Sequence, residues 1–144
     1  MAHTILIVED DADEEYLLVK AFREVAHDVG LQVVRDGVEA IEYMRGAGNF
    51  GDRTLHPLPT LVLLDLKLPR RDGFEVLTLL KADPNLRHTP IVVLSGACDG
   101  ETVARAADLG ANAFLAKPES FPAARDTVRT LTAFWLGLHQ QVRK

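Results

Sequence analysis

The sequence predicts a doubly wound α/β domain: a parallel sheet of five strands with helices on both faces. Five short apolar runs alternate with five segments of helical spacing, the mark of strand–helix–strand units joined by right-handed crossovers. The plainest run, Leu61-Val62-Leu63-Leu64-Asp65, is apolar at successive positions and not at every second one. That is how a strand buried on both faces reads. Pro69 then ends any further ladder pairing.

Taken in order, Thr4 to Val8 is the first strand, rich in β-branched residues, and it runs into Glu9-Asp10-Asp11. Asp11 or Asp13 can cap a helix whose apolar positions include Leu18, Phe22, Val25 and Val29, with Gly30 expected to close it. Leu31 to Val34 is the second strand, Asp36-Gly37 a turn, and Val38 to Arg45 a helix with Ala40, Ile41 and Met44 inward. Gly46-Ala-Gly-Asn-Phe-Gly51 spells G-x-G-x-x-G, but it follows a helix and leads into loop composition. A dinucleotide fingerprint works only between a strand and a helix start, so a flexible connection is the expectation for 46–60.

After Asp65 the chain turns through Arg70-Arg71-Asp72-Gly73 and enters a helix over Phe74 to Lys81, broken by Asp83-Pro84. Ile91 to Leu94 is the fourth strand and ends in Ser95-Gly96. A polar, alanine-rich helix covers Glu101 to Leu109, and a weaker fifth strand runs from Asn112 to Ala116 into Lys117-Pro118. Phe121 to Val142 reads as one long helix with Val128, Leu131, Trp135, Leu138 and Val142 on a stripe. Phe134 and Leu136 fall off that stripe, and surplus apolar helix surface of this kind marks association with a partner or a second copy.

A chain of 144 residues fits one domain with a single core. A formal net charge of −5 argues against nucleic acid as a partner, because such binders show a basic face. No apolar run approaches the roughly 20 residues that span a bilayer, and the start lacks the regions of a signal peptide. Cys98 is the single cysteine, so no internal disulfide forms and a reducing cytoplasm is the expected location.

Four strand ends are polar: Glu9 and Asp10, Asp65, Ser95 and Lys117. In a parallel sheet all lie along the carboxyl edge, where open α/β folds place their crevices. Three carboxylates face one ammonium. Like charges about 4 Å apart repel by about 4 kcal/mol at an effective dielectric of about 20. The cluster can relieve this by protonating an acid or by binding a divalent cation, and a metal site is the reading preferred over an unfilled acidic patch. Oxygen-only ligands select a hard ion such as Mg²⁺. An aspartate beside such an ion is a nucleophile toward phosphorus, with the metal, Lys117 and Ser95 each taking one phosphoryl oxygen.

These residues resemble the receiver domain of two-component response regulators over nearly the whole chain. The resemblance is carried by Ile-Leu-Ile-Val8-Glu9-Asp10-Asp11, Leu64-Asp65-Leu-Lys-Leu-Pro69 with Asp72-Gly73, Val93-Leu94-Ser95-Gly96 and Phe114-Leu-Ala-Lys117-Pro118. It implies a flavodoxin-like sheet of order 2-1-3-4-5, and Asp65 as acceptor of a phosphoryl group from a sensor histidine kinase. It implies further that Mg²⁺ is held by Glu9, Asp10, Asp65 and the backbone carbonyl of Lys67. Ser95 and Lys117 match the catalytic hydroxyl and lysine, and Ser95 with Phe114 the switch pair. Asp11 departs from the pattern as a third acid and reads as a helix cap; the 46–60 connection is longer than is usual.

That connection, Asp83-Pro-Asn-Leu86 and Ala133-Phe-Trp-Leu136 resemble the small stand-alone receivers paired with bacterial phytochrome kinases. No output domain is expected after the last helix, so output would pass through contact with a downstream protein or through a homodimer. Three other readings fit less well. A flavin binder needs a hydroxyl- and glycine-rich phosphate loop where this chain has three acids. An aspartate-dependent phosphohydrolase needs a second aspartate at position 67, which is lysine. A degenerate receiver, acting only as an interaction module, would lack some key residues, and all are present.

Overall fold

Five parallel strands form one sheet in the order β2-β1-β3-β4-β5 in the computed structural model, which describes residues 3–136. The strands are β1 (Thr4–Val8), β2 (Gly30–Val34), β3 (Leu61–Asp65), β4 (Ile91–Ser95) and β5 (Ala113–Ala116). The helices are α1 (Ala12–Val25), α2 (Gly37–Arg45), α3 (Gly73–Ala82), α4 (Gly100–Asp108) and α5 (Phe121–Leu131). This is the expected doubly wound architecture.

Side chains alternate across a strand, and both rows are apolar because both faces are covered. Leu6, Val8, Val62 and Leu64 pack on Ala40, Ile41 and Met44 of α2 and on Val76, Leu77 and Leu80 of α3. Ala106 of α4 joins the same face through Leu66 and Val93. The other row, with Ile5, Ile7, Leu61 and Leu63, meets Leu18 and Phe22 of α1 and Val128 and Leu131 of α5. Each helix begins on a side chain that accepts a backbone N–H: Asp11, Asp36, Asp72, Asp99 and Ser120.

Three expectations are corrected. Gly30 does not close α1: the helix ends at Val25 with Ala26 as its cap, and Gly30 opens β2, its N–H donating to His3 O at 2.8 Å. A turn over residues 26–29 separates helix from glycine, so no left-handed residue is needed there. The 46–60 connection is fastened where a flexible one was expected. Its Arg53 guanidinium donates to the carbonyls of Tyr43 (2.7 Å), Met44 (2.7 Å) and His56 (3.1 Å), giving partners to the open C-terminal end of α2. Tyr43 Oη donates to Pro57 O at 2.7 Å, and the Tyr43, Phe50 and His56 rings pack mutually.

The last helix is also interrupted. It gives way at Thr132–Leu136 to a π-helical turn. Trp135 packs partly buried against the α1/α5 core, whereas Phe134 is 58% exposed. The Leu136 side chain, Leu138 and Val142 lie outside the described residues.

The loop following Asp65 is held from two sides. Gly73 lies so close beneath it that a Cβ would stand 2.4 Å from Asp65 O and 2.5 Å from Leu66 Cα. On the α2 side a Cβ at Gly37 would meet Arg71 O at 2.0 Å. Arg70 adopts a positive φ of 66°, unusual for a residue with a side chain, and is held there by its ion pair with Asp36 at 2.8 Å.

Two outcomes are expected in urea denaturation. Gly73→Ala should lose about 1–3 kcal/mol through overpacking, and an unchanged midpoint would mean that the loop yields freely. Arg53→Ala removes the donor to the Met44 carbonyl at the end of α2 and should lose about 1–3 kcal/mol; a neutral result would mean that the connection is not held by this residue.

Candidate functional site

Strand register assembles the site. β1 and β3 pair as Val8↔Leu64, so the next residues, Glu9 and Asp65, come level at the carboxyl edge. Glu9 continues the Ile5–Ile7 row and Asp65 the Leu61–Leu63 row, both on the α1/α5 face. Lys117 extends the Ala113–Leu115 row of β5, which packs on that same face. Period-two alternation therefore brings two buried acids and a lysine together from three strands.

Asp65 is 5% exposed and Glu9 3% exposed. Asp65 Oδ2 accepts from Lys117 Nζ at 2.9 Å, and Oδ1 accepts the Lys67 backbone N–H at 3.0 Å. Glu9 Oε1 lies 3.2 Å from Lys117 Nζ, while Oε2 accepts the Asp11 backbone N–H at 3.2 Å. Asp10 is exposed, yet one carboxylate oxygen each from Glu9, Asp10 and Asp65 lie within 4.8 Å of one another. Asp11 caps α1, its Oδ1 accepting from the N–H groups of Asp13 and Glu14, in keeping with its reading as a cap.

A fourth carboxylate was not foreseen. Glu14, in the first turn of α1, hydrogen-bonds Lys117 through Oε2. An acid three residues after an N-cap usually reaches back to the cap's N–H, and the sequence Asp11-Ala-Asp-Glu14 reads that way. Here Glu9 has taken the Asp11 N–H, which leaves Glu14 available to the lysine. The only signal in the sequence was that this acid lies one helical turn from the acidic pair.

Charge surplus shows in protonation. Burial, then the charge and hydrogen bond of Asp65, push the Glu9 carboxyl up to about 8, against opposing pulls from the Asp11 N–H and Lys117. Burial alone would lower Lys117, but its bonds to Glu14 and Asp65 and the charges of Asp65 and Glu9 hold it above the usual lysine range. The lysine thus stays charged while one acid keeps a proton. A divalent cation can replace that proton, and the oxygen-only donor set with its 4.8 Å spacing fits a hard ion.

The acids open onto a depression of about 540 Å³ lined by Asp10, Asp13, Glu14, Asp65, Lys67 and Lys117. Ser95 is not among its walls. β3 and β4 pair as Asp65↔Leu94, so Ser95 stands one residue further along, on the Ile91–Val93 row of the opposite face. Its hydroxyl accepts the Ala97 N–H at 3.0 Å and donates to Ala97 O at 3.3 Å, beside a second groove of about 400 Å³ that also includes Lys67. Phe114 is on that face too, packed partly buried against Leu66, Val93 and Ala106. Lysine and acids thus meet in one place, with hydroxyl and aromatic residue in the next, and Lys67 borders both.

Comparison with known proteins identifies the family. Residues 5–129 match the response regulator receiver domain. FilR2 of Methanothrix harundinacea, a probable methanogenesis regulatory protein, is 38% identical over 92% of this chain and 83% of its own length. The phosphorylated cyanobacterial phytochrome response regulator RcpA superposes with a TM-score of 0.87 at 33% identity, over 94% of this chain and 95% of that one. The Mn²⁺-bound form of response regulator Rcp1, a protein of Synechocystis, gives 0.82 at 32% identity, over 93% and 94%. Phytochrome response regulators are therefore among its structural neighbours, and the chain itself belongs to the response regulator receiver domain family.

Proposed function

We propose that Asp65 accepts a phosphoryl group from the phosphohistidine of a sensor kinase, and that the phosphorylated protein signals by contact with a partner. One observation carries this reading: a buried carboxylate at the foot of an open acidic pocket, with the Lys117 ammonium 2.9 Å away and two further acids within 4.8 Å. Glu9, Asp10, Asp65 and the Lys67 carbonyl would hold Mg²⁺. When bound, the ion neutralises charge on the phosphoryl oxygens and on the acids.

The remaining chemistry belongs to the chain. An Asp65 oxygen attacks phosphorus in line; the new O–P bond forms as the donor's P–N bond breaks, and the leaving nitrogen keeps the pair and takes a proton from solvent. Lys117 follows the charge from the Asp65 carboxylate onto a phosphoryl oxygen. Ser95 gives up its two bonds to Ala97 and turns toward the phosphoryl group, and Phe114 moves inward into the space left near Leu66 and Val93. Likeness to RcpA favours a phytochrome as the kinase. The exposed Cys98 and the lack, among the described residues, of any helix long and apolar enough to cross a membrane support a cytoplasmic location.

Intact-mass measurement after incubation with acetyl phosphate and Mg²⁺ tests the acceptor. Wild type should gain one phosphoryl group, Asp65→Asn should gain none, and chelation should abolish the gain; equal labelling of both proteins would refute the assignment. Stability against pH tests the metal reading. Glu9 in the folded, metal-free protein keeps its proton to about pH 8, whereas the unfolded chain releases it near 4.5. Its contribution to stability is therefore full below 4.5 and lost as pH rises through 8. Mg²⁺ needs the ionised carboxylate, so stabilisation by the ion should grow across the same window. Urea denaturation of wild type and Glu9→Gln, each with and without Mg²⁺, checks this, and a pH-independent difference between the two proteins would contradict it.

A further inference from the structure

We propose that Glu14 is a positioning residue: it holds Lys117 in the unphosphorylated protein and competes with the phosphoryl group on Asp65 for that ammonium. The inference rests on the phosphoacceptor reading above. A lysine ammonium has three donors; Lys117 gives hydrogen bonds to Glu14 Oε2 and, at 2.9 Å, to Asp65 Oδ2, and forms an ion pair with Glu9 Oε1 at 3.2 Å. A phosphoryl group on Asp65 brings close to two negative charges and needs one of those donors.

Of the three acids, Glu14 is built to leave. Glu9 is buried and also bound to the Asp11 N–H, and Asp65 carries the phosphoryl group. The Glu14 side chain is 36% exposed, and among the described residues its carboxylate makes no bond other than that to Lys117. It stands on the first turn of a helix with open solvent beside it, so a rotamer change frees the lysine without moving the backbone. Glu14 thus competes with the incoming group for one ammonium. It favours the unphosphorylated state and links the site to the start of α1.

Initial rates of phosphorylation by limiting acetyl phosphate with Mg²⁺, followed by intact mass, test this. Glu14→Gln should be labelled about two- to fivefold faster than wild type, the scale of a part-exposed ion pair. Glu14→Asp keeps the charge but is one methylene too short to reach, and should behave like Glu14→Gln. Asp13→Asn removes an equal charge from the same pocket without touching Lys117 and should accelerate labelling less than Glu14→Gln does; the Glu14→Gln effect should persist in high salt, where a long-range field is screened. Thermal melts confirm that each variant is folded. Equal or slower labelling of Glu14→Gln, or equal acceleration by Asp13→Asn, would overturn the inference while the phosphoacceptor reading stands. Failure of wild type to label at Asp65 would overturn both.

Discussion

The Lys117 ammonium, set among Glu9, Glu14 and Asp65, is the interaction on which the site depends. Without it three carboxylates at the mouth of the sheet would have to share a small, partly buried volume, and mutual repulsion there is worth several kcal/mol. With it the pocket is still over-negative, and burial with the neighbouring Asp65 charge pushes the Glu9 carboxyl up from its ordinary range. A site in that condition is ready for a cation and, through the cation and the lysine, for an anion. The donor set of Glu9, Asp10 and Asp65 is consistent with a divalent cation.

Geometry is imposed on this cluster by backbone contacts that no side chain could replace. The chain leaving Asp65 is pressed between Gly73, which admits no Cβ against the Asp65 carbonyl, and Gly37, which admits none against Arg71. Arg70 bridges the same strap to Asp36, the residue that caps α2, and its left-handed backbone is retained because the ion pair and the two glycine contacts leave few alternatives. Any rearrangement around Asp65 is therefore felt at the starts of both α2 and α3.

Two faces of one sheet divide the labour. Acids and lysine lie on the α1/α5 side, whereas Ser95 and Phe114 lie on the side of α2, α3 and α4. A group attached to Asp65 sits at the border, and Lys67, which lines both depressions, marks the crossing point. The Ser95 hydroxyl is bonded to Ala97, in the loop that leads into α4.

Much of this is determined by the sequence alone, because it depends on local periodicity. Continuous apolar runs mark the five strands, and an aspartate marks the first helix start, whereas the caps at Asp36, Asp72 and Asp99 emerge only in the fold. The placing of Glu9, Asp65 and Lys117 on one face and of Ser95 and Phe114 on the other needs the strand register and the packing of both layers. Other features depend on contacts between residues far apart in the chain, which no local pattern encodes. The Arg53 guanidinium reaches back to α2 and stiffens a connection whose composition reads as loop. Gly30 proves to be a strand residue because a four-residue turn intervenes after α1. Glu14 joins Lys117 across 103 residues only because Glu9 has already claimed the Asp11 N–H. Which of two equally plausible hydrogen bonds a carboxylate makes is decided by its neighbours in space, and those exist only once the chain has folded.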